Sequence, residues 1–103
     1  MNPALDAARG YGVEVVLEDL GDWGATELRS EYDPLGPQIR INARVVLRYC
    51  GDAREEFVAR CVFHELYHHR EAIGEVRRMH SRRAREEAAD AFARAMLALR
   101  GQS

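Results

Sequence analysis

No glycine or proline interrupts the chain between Gly51 and Gly74, and none interrupts residues 82–99. Two helices of that length in a chain of 103 residues leave room for one small core, so whatever else folds must pack against them. Asp52 is placed to cap the first helix, with Glu55 three residues on in capping-box spacing, and the helix is expected from Ala53 to about Ile73. Gly74 ends it. Residues 74–81 form a connector, Ser81 caps the second helix, and that helix is expected from Arg82 to about Leu99.

The first half of the chain reads differently. Residues 2–10 suit a short helix, with Asn2 as cap, Pro3 in the first turn and Gly10 at the end. Residues 13–17, VEVVL, are rich in β-branched side chains and predict a strand. Gly21, Asp22 and Gly24 mark a turn around Trp23, and residues 25–32 read as a second strand. A turn at Asp33, Pro34, Gly36 and Pro37 leads into QIRIN, residues 38–42, whose alternation fits a half-buried strand. Pro37 at its entrance suits a sheet edge. A short helix over residues 43–50 is expected next. The fold class is therefore α+β: a small N-terminal sheet with a short helix, then two long helices, all in one domain spanning residues 1–103.

Composition narrows the chemistry. All 15 basic residues are arginine, so Schiff-base, lysine-base and P-loop mechanisms are excluded. Proton transfer must fall to His, Asp, Glu, Tyr or Cys. A net charge of −2 gives no global field toward nucleic acid or membrane. No apolar run approaches a spanning helix, and the start of the chain lacks a basic stretch followed by an apolar one, so a cytoplasmic protein is expected. Cys50 and Cys61 are too few for a disulfide framework and are expected as reduced, buried small hydrophobes.

The first long helix carries His64-Glu65-Leu66-Tyr67-His68, the HExxH pattern. Residues i and i+4 share a helical face, so His64 and His68 can bind one Zn²⁺. Glu65 is rotated about 100° from His64, which sets its carboxylate beside the metal rather than on it, where it can take a proton from bound water. Catalytic zinc commonly has three protein ligands, so a third is sought elsewhere. Glu86 on the second helix is the leading candidate. Asp90, four residues on, can accept from the distal N–H of a ligand histidine, expected to be His64. Glu87 and His80 are the rival third ligands. Cys61, three residues before His64, could also point to the site, although core packing is its simpler role. His69 is rotated away and expected to be partly exposed. Ala89, Phe92, Ala93 and Met96 form a strip that would seat the second helix on the first.

With these residues in view, the segment from His64 to His68, followed by Glu86 and Asp90, resembles the gluzincin clan of zinc metallopeptidases. Residues 38–99, containing PQIRIN, FVARCVFHELYHH and EEAADAFARAMLAL, resemble the ImmA/IrrE-type peptidases, and the chain's size is similar to that of the single-domain minigluzincins. Tyr67 stands where such peptidases often have glycine, and Ala88 where they often have an acid. The resemblance implies a zincin-like fold and a Zn²⁺-dependent peptidase with Glu65 as general base and acid. It also implies that the strand at Gln38–Asn42 borders the cleft and pairs with an extended polypeptide substrate. An oxyanion stabiliser is expected, with Tyr67, Tyr49 and His80 as candidates.

The leading expectation is thus a zinc endopeptidase, active or latent. In a latent form the stretch after Leu97 is the nearest segment that could cover the cleft. A zinc-stabilised binding module without catalysis is the alternative; three ligands beside an unliganded Glu65 argue against it, since structural sites usually close with four. Nucleic-acid binding is the weaker reading. It rests on residues 70–85, where six arginines face Glu71 and Glu75, while the first 35 residues carry eight acids and two bases.

Overall fold

The computed structural model describes residues 2–21 and 28–101. It contains, in order, α1 (Pro3–Gly10), β1 (Glu14–Glu18), β2 (Ser30–Asp33), β3 (Gln38–Asn42), α2 (Ala43–Val46), α3 (Gly51–Ala72) and α4 (Arg82–Gly101). This is the expected α+β arrangement. The turn around Trp23 and residues 25–27 of the expected second strand lie outside the described residues.

The sheet order is β1–β3–β2, with β1 parallel and β2 antiparallel to β3. The edge position expected for Gln38–Asn42 is therefore wrong: β3 is the central strand. Pro37 lies one residue before the first paired position, so its missing N–H falls outside the ladder, and its carbonyl accepts from the Glu14 N–H at 3.1 Å. Ile39 and Ile41 are fully buried, and the neighbouring Arg40 points to the opposite face. There Arg40 pairs with Glu31 directly across the ladder at 2.7 Å and with Asp33 at 3.3 Å.

α1 forms as expected, with the Asn2 side chain accepting from the Ala4 N–H at 3.0 Å. Asn2 also donates to the Glu55 carbonyl and carboxylate, both at 3.3 Å, which ties α1 to the start of α3. The expected capping box at Asp52 does not form. Gly51 adopts a φ of +57° and lets the chain enter the helix from Cys50, so Asp52 already lies in the first turn. Its carboxylate there opposes the positive end of the helix dipole instead. At the other end Gly74, with φ +78°, closes α3 as expected. Ser81 caps α4 through its hydroxyl, which accepts from the Ala84 N–H at 3.0 Å.

Phe63, Leu66 and Val62 of α3 meet Ile39 and Ile41 of the sheet and Val45 of α2 in the core. α4 seats on α3 through the predicted strip: Ala89 and Ala93 are buried, Phe92 meets Phe63 edge to face at 6.3 Å, and Met96 packs on the core. α3 is thus covered on both flanks, by α4 on one and by β2 and α1 on the other. Among the described residues no helix is long and apolar enough to cross a membrane.

Candidate metal centre

α3 sets the His64 and His68 rings one turn apart, 5.1 Å between centroids. Both side chains are largely buried against α4. From α4, one carboxylate spans the pair: Glu86 Oε1 lies 3.2 Å from His64 Nε2, and Glu86 Oε2 lies 2.8 Å from His68 Nε2. The other ring nitrogens are also engaged. Asp90 Oδ1 is 2.8 Å from His64 Nδ1, the contact expected from the four-residue spacing of Glu86 and Asp90. Glu71 Oε1 is 2.8 Å from His68 Nδ1.

Glu71 was missed in the sequence. Its signal was there, three residues after His68 on the same helical face, but a charged side chain near the end of a helix usually faces water. Here the Glu71 side chain is only 1% exposed, held beside Arg85 at 3.4 Å, and its Oε2 has no hydrogen-bond partner among the described residues.

Glu65 sits beside the pair, 6% exposed, and accepts from Ser30 Oγ at 2.7 Å. Burial pushes its carboxyl above the usual carboxylate range, opposed by the nearby imidazoles and the Ser30 bond. Two residues along β2 the contact repeats, with the Tyr32 hydroxyl 2.7 Å from His69 Nδ1. β2 therefore lies along α3 with Ser30 over Glu65 and Tyr32 over His69. The partial exposure expected of His69 is incorrect: it is 5% exposed, because a rotation away from the site carries it under β2 and Tyr11 rather than into water.

The arrangement has an electrostatic consequence. Glu65, Glu71, Glu86 and Asp90 surround two imidazoles, with Arg85 the guanidinium paired into the group. If each Nδ1–H donates to its own carboxylate, each Nε2 presents a lone pair to Glu86, and lone pair against carboxylate is repulsive. A cation between them turns that repulsion into coordination. The ligand atoms of His64, Glu65 and His68 lie within 4.8 Å of one another, and this group could hold a metal ion. Two imidazoles and a carboxylate are the donor set that suits zinc.

The remaining candidates lie elsewhere. Glu87 pairs with Arg83 at 3.1 Å on the exposed face of α4. His80 is exposed in the connector. Tyr67 packs on Phe92 at 5.6 Å in the α3–α4 seam, and Tyr49 stacks on Phe57 at 4.8 Å. Cys61 is 4% exposed on the cleft wall, and burial pushes its thiol up to about 12, so it stays a protonated packing residue. Cys50, expected to be buried, is exposed, because it stands at the surface start of α3.

The cleft over the site has a volume of about 250 Å³, bordered by Ser30, Phe57, Cys61, His64, Glu65 and Glu86. β2 borders it, not β3 as expected, because β3 is paired on both sides. Residues 98–101 continue α4, so the stretch after Leu97 does not cross the cleft as far as it is described. Comparison of the chain with protein-family models, curated proteins and solved structures gives no match.

Proposed function

We propose that the chain is a zinc-dependent endopeptidase of gluzincin type that hydrolyses peptide bonds in an extended polypeptide. The observation that supports this most directly is the single carboxylate of Glu86 facing both His64 Nε2 and His68 Nε2, with Glu65 beside them. His64, His68 and Glu86 would hold the ion. When bound, zinc acts as a Lewis acid toward the scissile carbonyl and makes water a stronger nucleophile near neutral pH.

The rest of the chemistry belongs to the chain's own residues. With a metal bound, Asp90 and Glu71 would each accept from the Nδ1–H of one imidazole and so favour the tautomer that leaves Nε2 unprotonated. Ser30 donates to Glu65 Oε2 and fixes the carboxylate, leaving Oε1 to take the proton of the attacking water and pass it to the leaving amine. The raised affinity of buried Glu65 for a proton suits both halves of that transfer. Among the described residues β2 pairs with another strand on one side only, so its second edge is available to an extended substrate.

The test has two parts. Purified protein carries stoichiometric zinc, and His64→Ala loses it. Glu65→Gln keeps the zinc and its melting temperature but cleaves no peptide. Full activity in Glu65→Gln would refute the mechanism, and zinc retained in His64→Ala would refute the site.

A further inference from the structure

The cleft continues beyond the metal centre. Past Asp90 it opens into a second hollow between α3 and α4, and the two hollows share Arg29, Arg60 and Asp90. Arg94, one turn beyond Asp90 on α4, lines the second hollow as well. Three guanidiniums thus meet over one stretch of groove. They come from the segment before β2, from α3 and from α4, so the fold assembles them and no run of charge in the sequence does.

The carboxylates of this hollow are already engaged. Glu56 pairs with Arg60 at 3.4 Å, and Asp90 holds His64 at 2.8 Å. Among the described residues neither Arg29 nor Arg94 stands in an ion pair. The main chain of Arg29 is nevertheless pinned, its carbonyl accepting from the Asn42 N–H at 2.8 Å. The floor is apolar where Ala93 and Leu97 reach it. Guanidinium forks match the planar geometry of carboxylates, and at exposed sites they attract them over about a Debye length, roughly 10 Å at 0.1 M salt.

We infer that the substrate of this site is an acidic polypeptide segment, its carboxylates held by Arg29 and Arg94, with Arg60 shared between them and Glu56, while a nearby peptide bond lies at the metal centre. This rests on the peptidase reading above and adds the substrate class to it. The carboxylates can be Asp and Glu side chains or a chain terminus, and the two differ in where the charge sits relative to the cleaved bond.

The experiment uses the zinc-loaded full chain and three fluorogenic decapeptide pools, randomised over neutral residues. One is C-terminally amidated with Glu at two fixed positions, one is amidated with Gln there, and one has Gln there with a free C-terminus. The Glu pool is cleaved with kcat/KM about tenfold above the Gln pool at low salt, the worth of one good carboxylate fork, and 1 M NaCl removes the difference. The triple variant Arg29→Gln, Arg60→Gln, Arg94→Gln brings the Glu pool down to the Gln pool. Its zinc content stays that of the wild type, which separates loss of the groove from loss of the metal site. A preference for the free C-terminus alone assigns the groove to a terminal carboxylate.

Equal cleavage of all three pools overturns the proposal while the peptidase reading stands. No cleavage of any pool sinks the peptidase reading. Fluorescence anisotropy of the same pools on the Glu65→Gln protein then judges the groove separately, and a Glu pool that binds no tighter than the Gln pool overturns it. Tighter binding of a twelve-nucleotide oligothymidylate than of the Glu pool also overturns it, since the groove would then serve phosphates rather than a polypeptide.

Discussion

An imidazole that ligates a metal through one nitrogen must place the proton of the other, and in His64 and His68 each Nδ1 has a carboxylate oxygen 2.8 Å away. Asp90 serves His64 from the neighbouring helix, and Glu71 serves His68 from one turn further along the same helix. Glu71 is the more deeply buried of the two, with Arg85 as its ion-pair partner. Glu71→Ala should therefore lower zinc affinity by about 10–100-fold, with Glu71→Gln, which still accepts a hydrogen bond, losing less. Competition against a chromophoric chelator measures this, and an unchanged affinity in Glu71→Ala would remove Glu71 from the site. His69 provides a test by pH. Burial lowers its pKa from the usual 6.5, so the unfolded chain takes up the proton first as pH falls. Its contribution to stability is full above pH 6.5 and is lost as pH drops through the lowered value. The melting temperature of metal-free protein should fall between pH 7 and 5 more steeply than that of His69→Gln, which keeps an acceptor for Tyr32. Parallel curves would show that His69 is not held neutral.

At the scale of the elements, the site depends on how closely α4 approaches α3. Glu86 and Asp90 stand on the same helix as Ala89 and Ala93, which are 0% and 1% exposed, so the seam and the ligand set are one structure. Ala93→Leu overpacks this seam and should cost about 1–3 kcal/mol of stability. It should also weaken zinc binding, because moving α4 outward carries Glu86 away from both imidazoles. Denaturant unfolding and zinc titration of the variant check the two effects. Loss of stability with zinc affinity intact would mean that α4 adapts without moving its acids. β2 is positioned by a different device. Asn42, 1% exposed at the end of β3, donates to the carbonyls of Gly21 and Leu28 and accepts from the Leu20 N–H. It thereby anchors the chain on both sides of residues 22–27 and fixes the run into Ser30. Its place after an alternating strand marked it only as a strand terminus.

For the molecule as a whole, the proposed metal site bears on stability as well as on chemistry. Four carboxyl groups gathered around two imidazoles with one guanidinium, Arg85, among them leave an excess of acid that a divalent cation would offset, so zinc binding should be a large fraction of the stability of so small a core. At free zinc 100-fold above Kd the stabilisation is about 2.7 kcal/mol. In a domain of this size that corresponds to a melting temperature lowered by roughly 10 °C or more when EDTA strips the metal. Calorimetry with and without chelator measures it, and coincident transitions would argue against a resident ion.

Much of this was legible in the residues. Helical spacing set His64 against His68 and Glu86 beside Asp90, because positions four apart on a helix share a face whatever surrounds them. The α+β order followed from where glycine, proline and β-branched residues fall. Strand order was not legible, since Pro37 reads as an edge signal whether it lies inside the ladder or one residue before it. The burial of Glu71 and His69, the start of α3 at Gly51 without a side-chain cap and the gathering of Arg29, Arg60 and Arg94 were equally out of reach. Each depends on which element covers which face, and that is set by packing between segments far apart in the chain, where local periodicity carries no information.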